Sequence, residues 1–334
     1  MKTPSSRTRA SLAAALLLAA GGSAAAHAPG TLPAPDAPYV TAQGAVRVVG
    51  YNDMQEMLEA LNRLFAKSHP GIRFELQLKG TRTAPPALAS GGSLFAPMGA
   101  EFSDAELAAY RQVAGHAPLA IRVAHASLDP RALSSPLALY VNHSNPLREL
   151  TLAQAMAAFT AGIDGRTALV WGDLGLGGAW ATRQVRLCGL APDTALGIFM
   201  RRHHFDGRQY ASHFQGFRQS ADAVSCVAGS PAALGFAGSN RVAPGARILA
   251  VAPASGGHAV LPSASAVAAG GYPLDRHLLI YVRKVPGKPL EPLAEAYLRM
   301  ALSPAGQQAI GSGTLGYQPL NPQELADELG KLGE

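Results

Sequence analysis

The sequence predicts an α/β protein in which strands and helices alternate along the chain. Residues 46–49 form an apolar run, residues 54–65 carry apolar side chains on one helical face, and residues 72–78 alternate apolar and polar side chains. This order makes a βαβ unit, whose two strands pair in parallel. Strands return late in the chain, at residues 278–282. We therefore expect mixed, mainly parallel sheets with helices on both faces.

Length and composition indicate a globular protein of two domains. A chain of 334 residues is long enough to bury a sizeable core in each of two domains. Hydrophobic residues make up 48% of the chain and charged residues 15%, a composition that excludes a disordered protein.

The N-terminal residues predict export. Lys2, Arg7 and Arg9 precede an apolar run and then small residues, which indicates a signal peptide over residues 1–26. A proline- and alanine-rich lead-in, expected to be extended, covers residues 27–43. We expect a periplasmic protein whose mature chain has no membrane span. Without the leader, the Lys and Arg count of 28 falls by three to 25 against 22 acidic residues, and a net charge of +3 argues against a nucleic-acid binder.

Capping signals and apolar runs predict the remaining elements. Asp53 is expected to cap the helix at residues 54–65, and two Ser/Thr–x–x–Glu/Gln capping boxes begin at Ser103 and Thr151. Strands are expected at residues 94–98, 118–123, 137–141, 185–187, 233–237 and 247–251. Helices are expected at residues 194–203 and 291–302, with a short last helix over residues 303–311.

The segment from Lys79 to Leu88 predicts an anion site. Gly80 allows a tight turn after the strand, and the paired prolines that follow suit the first turn of a helix. Thr81, Arg82 and Thr83 thus lie where a helix N-terminus attracts negative charge. The same local pattern also fits a capped loop that binds nothing.

Four strand-to-helix junctions could contribute to one ligand site. They lie at residues 50–53, 80–83, 99–101 and 189–194. Ligands of open α/β sheets bind where the carboxyl ends of strands meet helix N-termini. We therefore expect these junctions to share a crevice.

Ordered motifs make the chain similar to the phosphate-type solute-binding proteins of ABC importers. The similarity extends over about residues 46–320. Its motifs are KGTRTAPPAL at 79–88, APM at 96–98, SNPL at 144–147, WGDLG at 171–175, GYPLDR at 271–276 with LIYV at 279–282, SPAGQ at 303–307 and GYQPL at 316–320. Each motif alone is weak, and the ordered set is specific.

The resemblance implies a two-lobed type II periplasmic-binding-protein fold. Lobe 1 would hold residues 44–136 plus 275–334, lobe 2 would hold residues 137–274, and a hinge would lie near residues 136 and 273. A small oxyanion, phosphate first, would bind between the lobes of a monomer that serves an ABC permease, without enzymatic activity, cofactor or metal. The expected ligand-binding residues are Asn52, Asp53, Thr81, Arg82, Thr83, Gly99, Asp193, Thr194 and Ala195.

Several ligand positions depart from the family pattern. Tyr51 stands where the family presents a small hydroxyl residue, Gly99 and Ala100 replace a Ser-Arg pair, and Leu190 replaces an arginine. These replacements leave open an alternative, a diverged module that acts as a sensor or interaction protein with another ligand or none.

Two further features leave their own questions open. His203, His204 and His213 could belong to a hydrolase or a metal site, although their spacing fits no clear ligand set. Cys188 and Cys226 are the chain's two cysteines and could form one disulfide in an oxidising compartment. Spacing alone does not establish that they are close.

Overall fold

The computed structural model describes residues 32–33, 36–160 and 169–333. The predicted signal peptide, residues 1–26, lies outside these residues. Of the predicted lead-in, residues 36–43 form turns, and Val40 makes a β-bridge with Val46. Within the described ranges, none of the helices combines the length and apolar character needed to cross a membrane.

Strands and helices alternate through the described chain. The strands are β1 Val46–Val49, β2 Phe74–Gln77, β3 Ala96–Met98, β4 Pro118–His125, β5 Leu137–Asn142, β6 Glu149–Thr151, β7 Arg186–Leu190, β8 Gln215–Phe217, β9 Ala233–Gly238, β10 Ala246–Ile248, β11 Ala250–Ala252 and β12 His277–Arg283. The helices are α1 Gln55–Ala66, α2 Ala84–Ala89, α3 Asp104–Ala114, α4 Leu152–Phe159, α5 Ala195–His204, α6 Ser220–Ala228, α7 Ala264–Ala268, α8 Pro292–Ala301, α9 Pro304–Gly311 and α10 Pro322–Gly333. Short 3-10 helices cover Asn52–Met54, Thr81–Thr83, Trp171–Leu174 and Gly178–Trp180.

The buried apolar side chains separate into two regions. One core draws its residues from 137–274, and we call this region lobe 2. Two other clusters draw theirs from 46–132 and 278–332, and we call this region lobe 1. The chain thus leaves the first core, builds the second, and returns to the first.

The sheets are mixed. In lobe 1, β1 pairs with β2 in parallel, and β12 lies antiparallel between β3 and β4. In lobe 2, the strand order is β10-β5-β9-β7-β8, with β7 parallel to both of its neighbours and β5 antiparallel to both of its own. A short parallel pair, β6 with β11, completes lobe 2. The late strand β12 is therefore the central strand of the three-stranded sheet in lobe 1.

The two segments that cross between the lobes lie side by side. Leu137 N donates to Leu274 O at 2.9 Å, and the Tyr272 hydroxyl donates to Leu137 O at 2.8 Å. Both residues, Tyr272 and Leu137, are buried. This paired crossing is the kind of short connection about which two lobes rotate.

Local capping signals are confirmed where both partners are close in sequence. Ser103 and Thr151 begin α3 and α4, and each forms the predicted capping box with the residue three positions later. The prediction that Asp53 caps α1 is wrong, since no side chain caps that helix. The single strand predicted at 247–251 divides at Leu249 into β10 and β11, which pair with different strands. The helix at 303–311 is not the last, because α10 follows it.

Cys188 and Cys226 are joined by a disulfide in the structure. Their Cα atoms lie 6.2 Å apart, and the bond links β7 to α6 within lobe 2. Cys188 is fully buried. The bond therefore fixes a surface helix to a central strand of the sheet.

Candidate functional site

Three of the four predicted junctions line a cavity of about 400 Å³, residues 80–83 and 99–101 from lobe 1 and residues 189–194 from lobe 2. Thr81 and Arg82 line the cavity from lobe 1, and Asp193, Thr194 and Ala195 line it from lobe 2. The other predicted ligand residues, Asn52, Asp53, Thr83 and Gly99, are not among its lining residues. The structure thus brings together five of the nine predicted residues.

The lobe 1 wall is a 3-10 turn that leads into α2. The Thr83 hydroxyl donates to Gly80 O at 2.8 Å and so serves the turn itself. The side chains of Thr81 and Arg82, in contrast, make no hydrogen bond or ion pair with any described residue, and Arg82 is exposed. Both side chains are free to contact a ligand in the cavity.

The lobe 2 wall is the N-terminus of α5, a helix of 10 residues. Thr194 is its N-cap: the hydroxyl accepts from Gly197 N at 3.1 Å and donates to Ala191 O at 2.7 Å. The first N–H groups of a helix have no carbonyl partner within it, and they carry partial positive charge. The backbone from Ala195 onward therefore presents donors toward the cavity.

Asp53 has a structural role away from the cavity. Its carboxylate accepts from Leu133 N at 2.8 Å and from the hydroxyl of Tyr317. Tyr317 lies 264 positions away in sequence, so this contact ties the C-terminal part of lobe 1 to its N-terminal part. Burial and the Asp53 carboxylate raise the pKa of Tyr317, which keeps the phenol protonated.

The buried ring of Tyr51 accounts for the glycine at position 99. Tyr51 is buried, burial raises the pKa of its phenol to about 12, and its hydroxyl lies 3.2 Å from Ser134 Oγ. A Cβ atom on Gly99 would lie 2.5 Å from Ser134 Oγ and closer still to the Tyr51 ring. The tyrosine therefore occupies the space that a side chain at position 99 would need.

Sequence reasoning missed Arg276, which lines the cavity from β12's N-terminal side. Its side chain is 4% exposed and donates to Ser135 O at 3.1 Å and to Gly99 O at 2.7 Å. Its Nε atom has no hydrogen-bond partner, and no described carboxylate lies within ion-pair distance. Burial lowers the pKa of Arg276, but an arginine begins so high that it stays charged.

The charges that line the cavity leave a small positive excess. Four arginines line it, Arg82, Arg202, Arg218 and Arg276, against the three carboxylates of Glu101, Glu106 and Asp193. Two of the carboxylates are already paired, Asp193 with Arg218 at 2.7 Å and Glu101 with Arg202 at 2.7 Å. The cavity thus holds one net positive charge, and Arg82 and Arg276 are the cations without a carboxylate partner.

Ion pairs cross from lobe 2 to lobe 1 beside the cavity. Arg202, near the end of α5, pairs with Glu101 at 2.7 Å and with Asp104 at 2.8 Å. His203 Nε2 lies 2.9 Å from the other Glu101 oxygen. These contacts hold α5 of lobe 2 against the start of α3 in lobe 1.

The Glu101 contacts predict a pH dependence of stability. Burial raises the pKa of Glu101, but hydrogen bonds from His203 and Arg202 outweigh burial and leave the pKa below its usual range. Glu101 therefore adds stability above its unfolded pKa, and that stability is lost as the pH falls through the lowered folded value. Because the side chain is 34% exposed, we expect less than about 1 kcal/mol.

The measurement is a series of melting temperatures from about pH 7 to about pH 3 for the wild type and Glu101→Gln. The variant should melt lower near neutral pH, and the difference should vanish at the acidic end. Glu149→Gln, which changes an exposed carboxylate without a partner, is the matched control. A difference that stays constant across the series would contradict the prediction.

The histidines at the end of α5 do not form a metal site in the described part of the chain. His203 contacts Glu101, whereas His204 is partly buried, and burial lowers its pKa to about 4. Neither they nor His213 belong to the group of metal-ligating side chains that the described residues contain. That group lies elsewhere, on β4 and β12.

Comparison with solved structures identifies the class of protein. An ABC-type phosphate transport receptor from Vibrio cholerae matches with a TM-score of 0.52 at 15% identity, over 81% of this chain and 98% of its own. PstS from Borrelia burgdorferi matches with a TM-score of 0.52 at 12% identity, over 83% of this chain and 99% of its own. With its two cores and the cavity between them, the chain has the two-lobed fold of solute-binding receptors.

Sequence comparison then gives the family. The phosphate-binding protein PstS of Pseudomonas aeruginosa is 30% identical over 323 residues, which cover 95% of this chain and 96% of that protein. The PstS of a second strain of that organism matches equally well. No protein-family model matches the chain. The chain belongs to the PstS family of phosphate-binding proteins.

Proposed function

We propose that this protein is a periplasmic receptor that binds phosphate, or an oxyanion of the same shape, between its lobes and delivers it to an ABC importer. It performs binding and release, without catalysis. The proposal is supported by relatives named as phosphate-binding proteins and by a solved structure named as a phosphate transport receptor.

The buried Arg276 guanidinium is the observation that carries this proposal. Burying a guanidinium costs free energy that its two carbonyl hydrogen bonds and the more distant carboxylates of Asp275 and Glu101 offset only in part, because no described carboxylate is close enough to be a paired counter-charge. An anion in the cavity provides that counter-charge, and a guanidinium offers a phosphate two parallel hydrogen bonds. Arg276 lines the cavity between the lobes.

The remaining donors come from both walls. Arg82 brings a second guanidinium and Thr81 a hydroxyl from lobe 1, while the first N–H groups of α5, beginning at Ala195, point in from lobe 2. A buried phosphate needs nearly all of its oxygens to accept hydrogen bonds. The arginines thereby replace donors that the family draws from a Ser-Arg pair and from an arginine at position 190.

Binding would be coupled to closure of the lobes. We assign residues 44–136 plus 275–334 to lobe 1 and residues 137–274 to lobe 2, a division supported by the separate cores. An anion that touches both walls contacts them together only in the closed arrangement, so it shifts the population toward that arrangement. The ion pairs of Arg202 with Glu101 and Asp104 add to the same state.

A thermal-shift screen of the mature protein tests the proposal. Phosphate, sulfate, molybdate and organic phosphates are added separately to phosphate-free protein. A ligand at 1,000 times its dissociation constant should stabilise the fold by about 4 kcal/mol. A rise in melting temperature with phosphate supports the proposal, whereas no change with any of these anions at millimolar concentration overturns it.

We expect Arg82→Ala to weaken phosphate binding at least tenfold, which is about 1.4 kcal/mol. The variant removes an exposed guanidinium that lines the cavity and has no partner in the protein, so its fold should be unaffected. Isothermal titration calorimetry gives the dissociation constants. Arg63→Ala removes an exposed arginine of α1, outside the cavity lining, and should bind as the wild type does. Unchanged affinity of Arg82→Ala would place Arg82 outside the binding site.

The alternative of a diverged module without an anion ligand is less well supported. It is motivated by the replacements at Tyr51, Ala100, Leu190 and Leu196. Tyr51 packs against Gly99 and does not line the cavity, whereas Ala100 does. The names of the relatives also favour an anion receptor. A thermal-shift screen in which no anion raises the melting temperature would favour this alternative.

A further inference from the structure

A second cluster of polar side chains lies in lobe 1, apart from the phosphate cavity. It consists of His125, Asp275, His277 and Glu324, and we call it the histidine–carboxylate cluster. His125 ends β4 and His277 begins β12, and the two residues lie opposite each other in the antiparallel pair. Asp275 precedes β12, and Glu324 lies in the first turn of α10. The sheet and the C-terminal helix thus meet at these four side chains.

We propose that the histidine–carboxylate cluster binds a divalent transition-metal ion, with Zn²⁺ as the first choice. Ligand atoms of His125, Asp275 and His277 all lie within 4.8 Å of one another. Two imidazoles with carboxylate oxygens form a ligand set that Zn²⁺ prefers. Tetrahedral ligands at about 2.0 to 2.1 Å from zinc stand about 3.4 Å apart. This spacing lies between the shortest contact in the cluster, 2.5 Å, and the 4.8 Å limit, so small side-chain movements would be needed.

The hydrogen bonding around His125 supports this proposal. The ring is fully buried, with Nδ1 2.5 Å from Asp275 Oδ2 and Nε2 2.9 Å from Glu324 Oε2. A neutral imidazole carries one N–H, so one of its nitrogens must face a carboxylate with a lone pair. The Nε2 atom lacks hydrogen-bond geometry, and the buried Asp275 Oδ1 has no hydrogen-bond partner. Facing electron-pair donors attract each other through a shared cation, which is either a second ring proton or a metal ion, and the zinc titration below distinguishes the two.

The surrounding charges also favour a cation. Asp275 and Glu324 bring two carboxylates, and His277 Nε2 lies 3.1 Å from Glu324 Oε1. One arginine, Arg122, is 3.8 Å from Glu324 but also contacts Asp327 and the buried Glu328. The buried Arg276, next to Asp275 in sequence, interacts electrostatically with Asp275 without forming an ion pair. The two arginines offset part of the negative charge of the cluster.

Space for entry exists on one side of the cluster. His277 is partly exposed and lines a cavity of about 80 Å³ next to the phosphate cavity. An ion could enter there, and a water molecule could complete its coordination, as in zinc sites with three protein ligands. The bound ion would hold α10 against β4 and β12, so metal binding should stabilise lobe 1.

Direct titration of the mature protein with ZnCl₂ tests the proposal. The protein is treated with a chelator and dialysed into phosphate-free buffer, so that zinc and phosphate do not react. Calorimetry should show one ion per chain with a dissociation constant below about 1 μM, and the melting temperature should rise. Co²⁺ bound in place of Zn²⁺ should give the visible absorption of a tetrahedral site. No heat and no thermal shift would overturn the proposal.

Two variants separate a built site from adventitious surface binding. His277→Ala removes a partly exposed ligand, and should weaken Zn²⁺ binding at least tenfold and abolish the Co²⁺ absorption. His143→Ala removes an exposed histidine of lobe 2 and should bind Zn²⁺ as the wild type does. Equal binding by His277→Ala and the wild type would overturn the proposal. The readout is Zn²⁺ affinity in the absence of phosphate, so a failure here leaves the anion site untouched.

Discussion

Replacing Arg276 by glutamine is expected to weaken phosphate binding at least about 100-fold, or about 2.7 kcal/mol. The wild-type guanidinium is 4% exposed, lines the cavity and has no carboxylate within ion-pair distance among the described residues. A bound anion would therefore be its charge partner. Glutamine keeps one amide donor for Ser135 O or Gly99 O but removes the charge. Calorimetric titration with inorganic phosphate gives the affinity.

Two controls distinguish the loss of charge from a damaged fold. Arg276→Lys keeps the charge without the planar fork, so its affinity should fall between those of the wild type and Arg276→Gln. Arg218→Gln removes an exposed arginine from the same cavity and should cost much less, because Arg218 already pairs with Asp193. Melting curves without ligand establish that the variants are folded. If Arg276→Gln binds phosphate with an affinity within threefold of the wild type, Arg276 does not contact the bound phosphate.

Breaking the disulfide between Cys188 and Cys226 is expected to lower the free energy of unfolding by about 4 kcal/mol. The cross-link joins positions 38 apart in sequence and so restricts a sizeable loop of the unfolded chain. It also attaches α6 to the central strand β7, so lobe 2 should lose most of this stability. Urea unfolding with and without reductant measures the loss.

The double variant Cys188→Ala, Cys226→Ala completes this experiment. It should unfold at the lower urea concentration found for the reduced wild type, and reductant should not change it further. Alanine is preferred to serine because position 188 is fully buried and a hydroxyl there would lack a partner. A wild-type protein that unfolds identically with and without reductant would show that the bond contributes no stability.

Contacts between near neighbours in sequence were predictable, and contacts across the fold were not. The capping boxes at Ser103 and Thr151 involve residues three positions apart, so the sequence displays both partners together. Asp53 was equally well placed to cap a helix, but Tyr317 and the Leu133 amide bind its carboxylate instead. A tertiary contact thus overrides the local preference of Asp53 for helix capping, and no sequence pattern around Asp53 predicts that contact.

The site was predictable in part for the same reason. Strand-to-helix junctions carry local signals, and those at Thr81 and Thr194 do meet at one cavity. Arg276 follows a Tyr-Pro turn and has no local feature that distinguishes an anion-facing arginine from a structural one. Likewise, His125 and His277 are 152 positions apart, and only the pairing of β4 with β12 brings them together. Helix α6 was missed because small and polar residues interrupt its apolar pattern, whereas α10 was missed although Leu325, Leu329 and Leu332 recur at helical spacing.

The packing of Tyr51 on Gly99 constrains how this cavity could change in evolution. A serine introduced at position 99 would collide with the tyrosine ring, because even a methyl group there has no room. A side chain at position 99 therefore needs both a smaller residue at position 51 and a shift of Ser134 Oγ. Substitutions at positions 51 and 99, which look independent in the sequence, are expected to have coupled effects on stability.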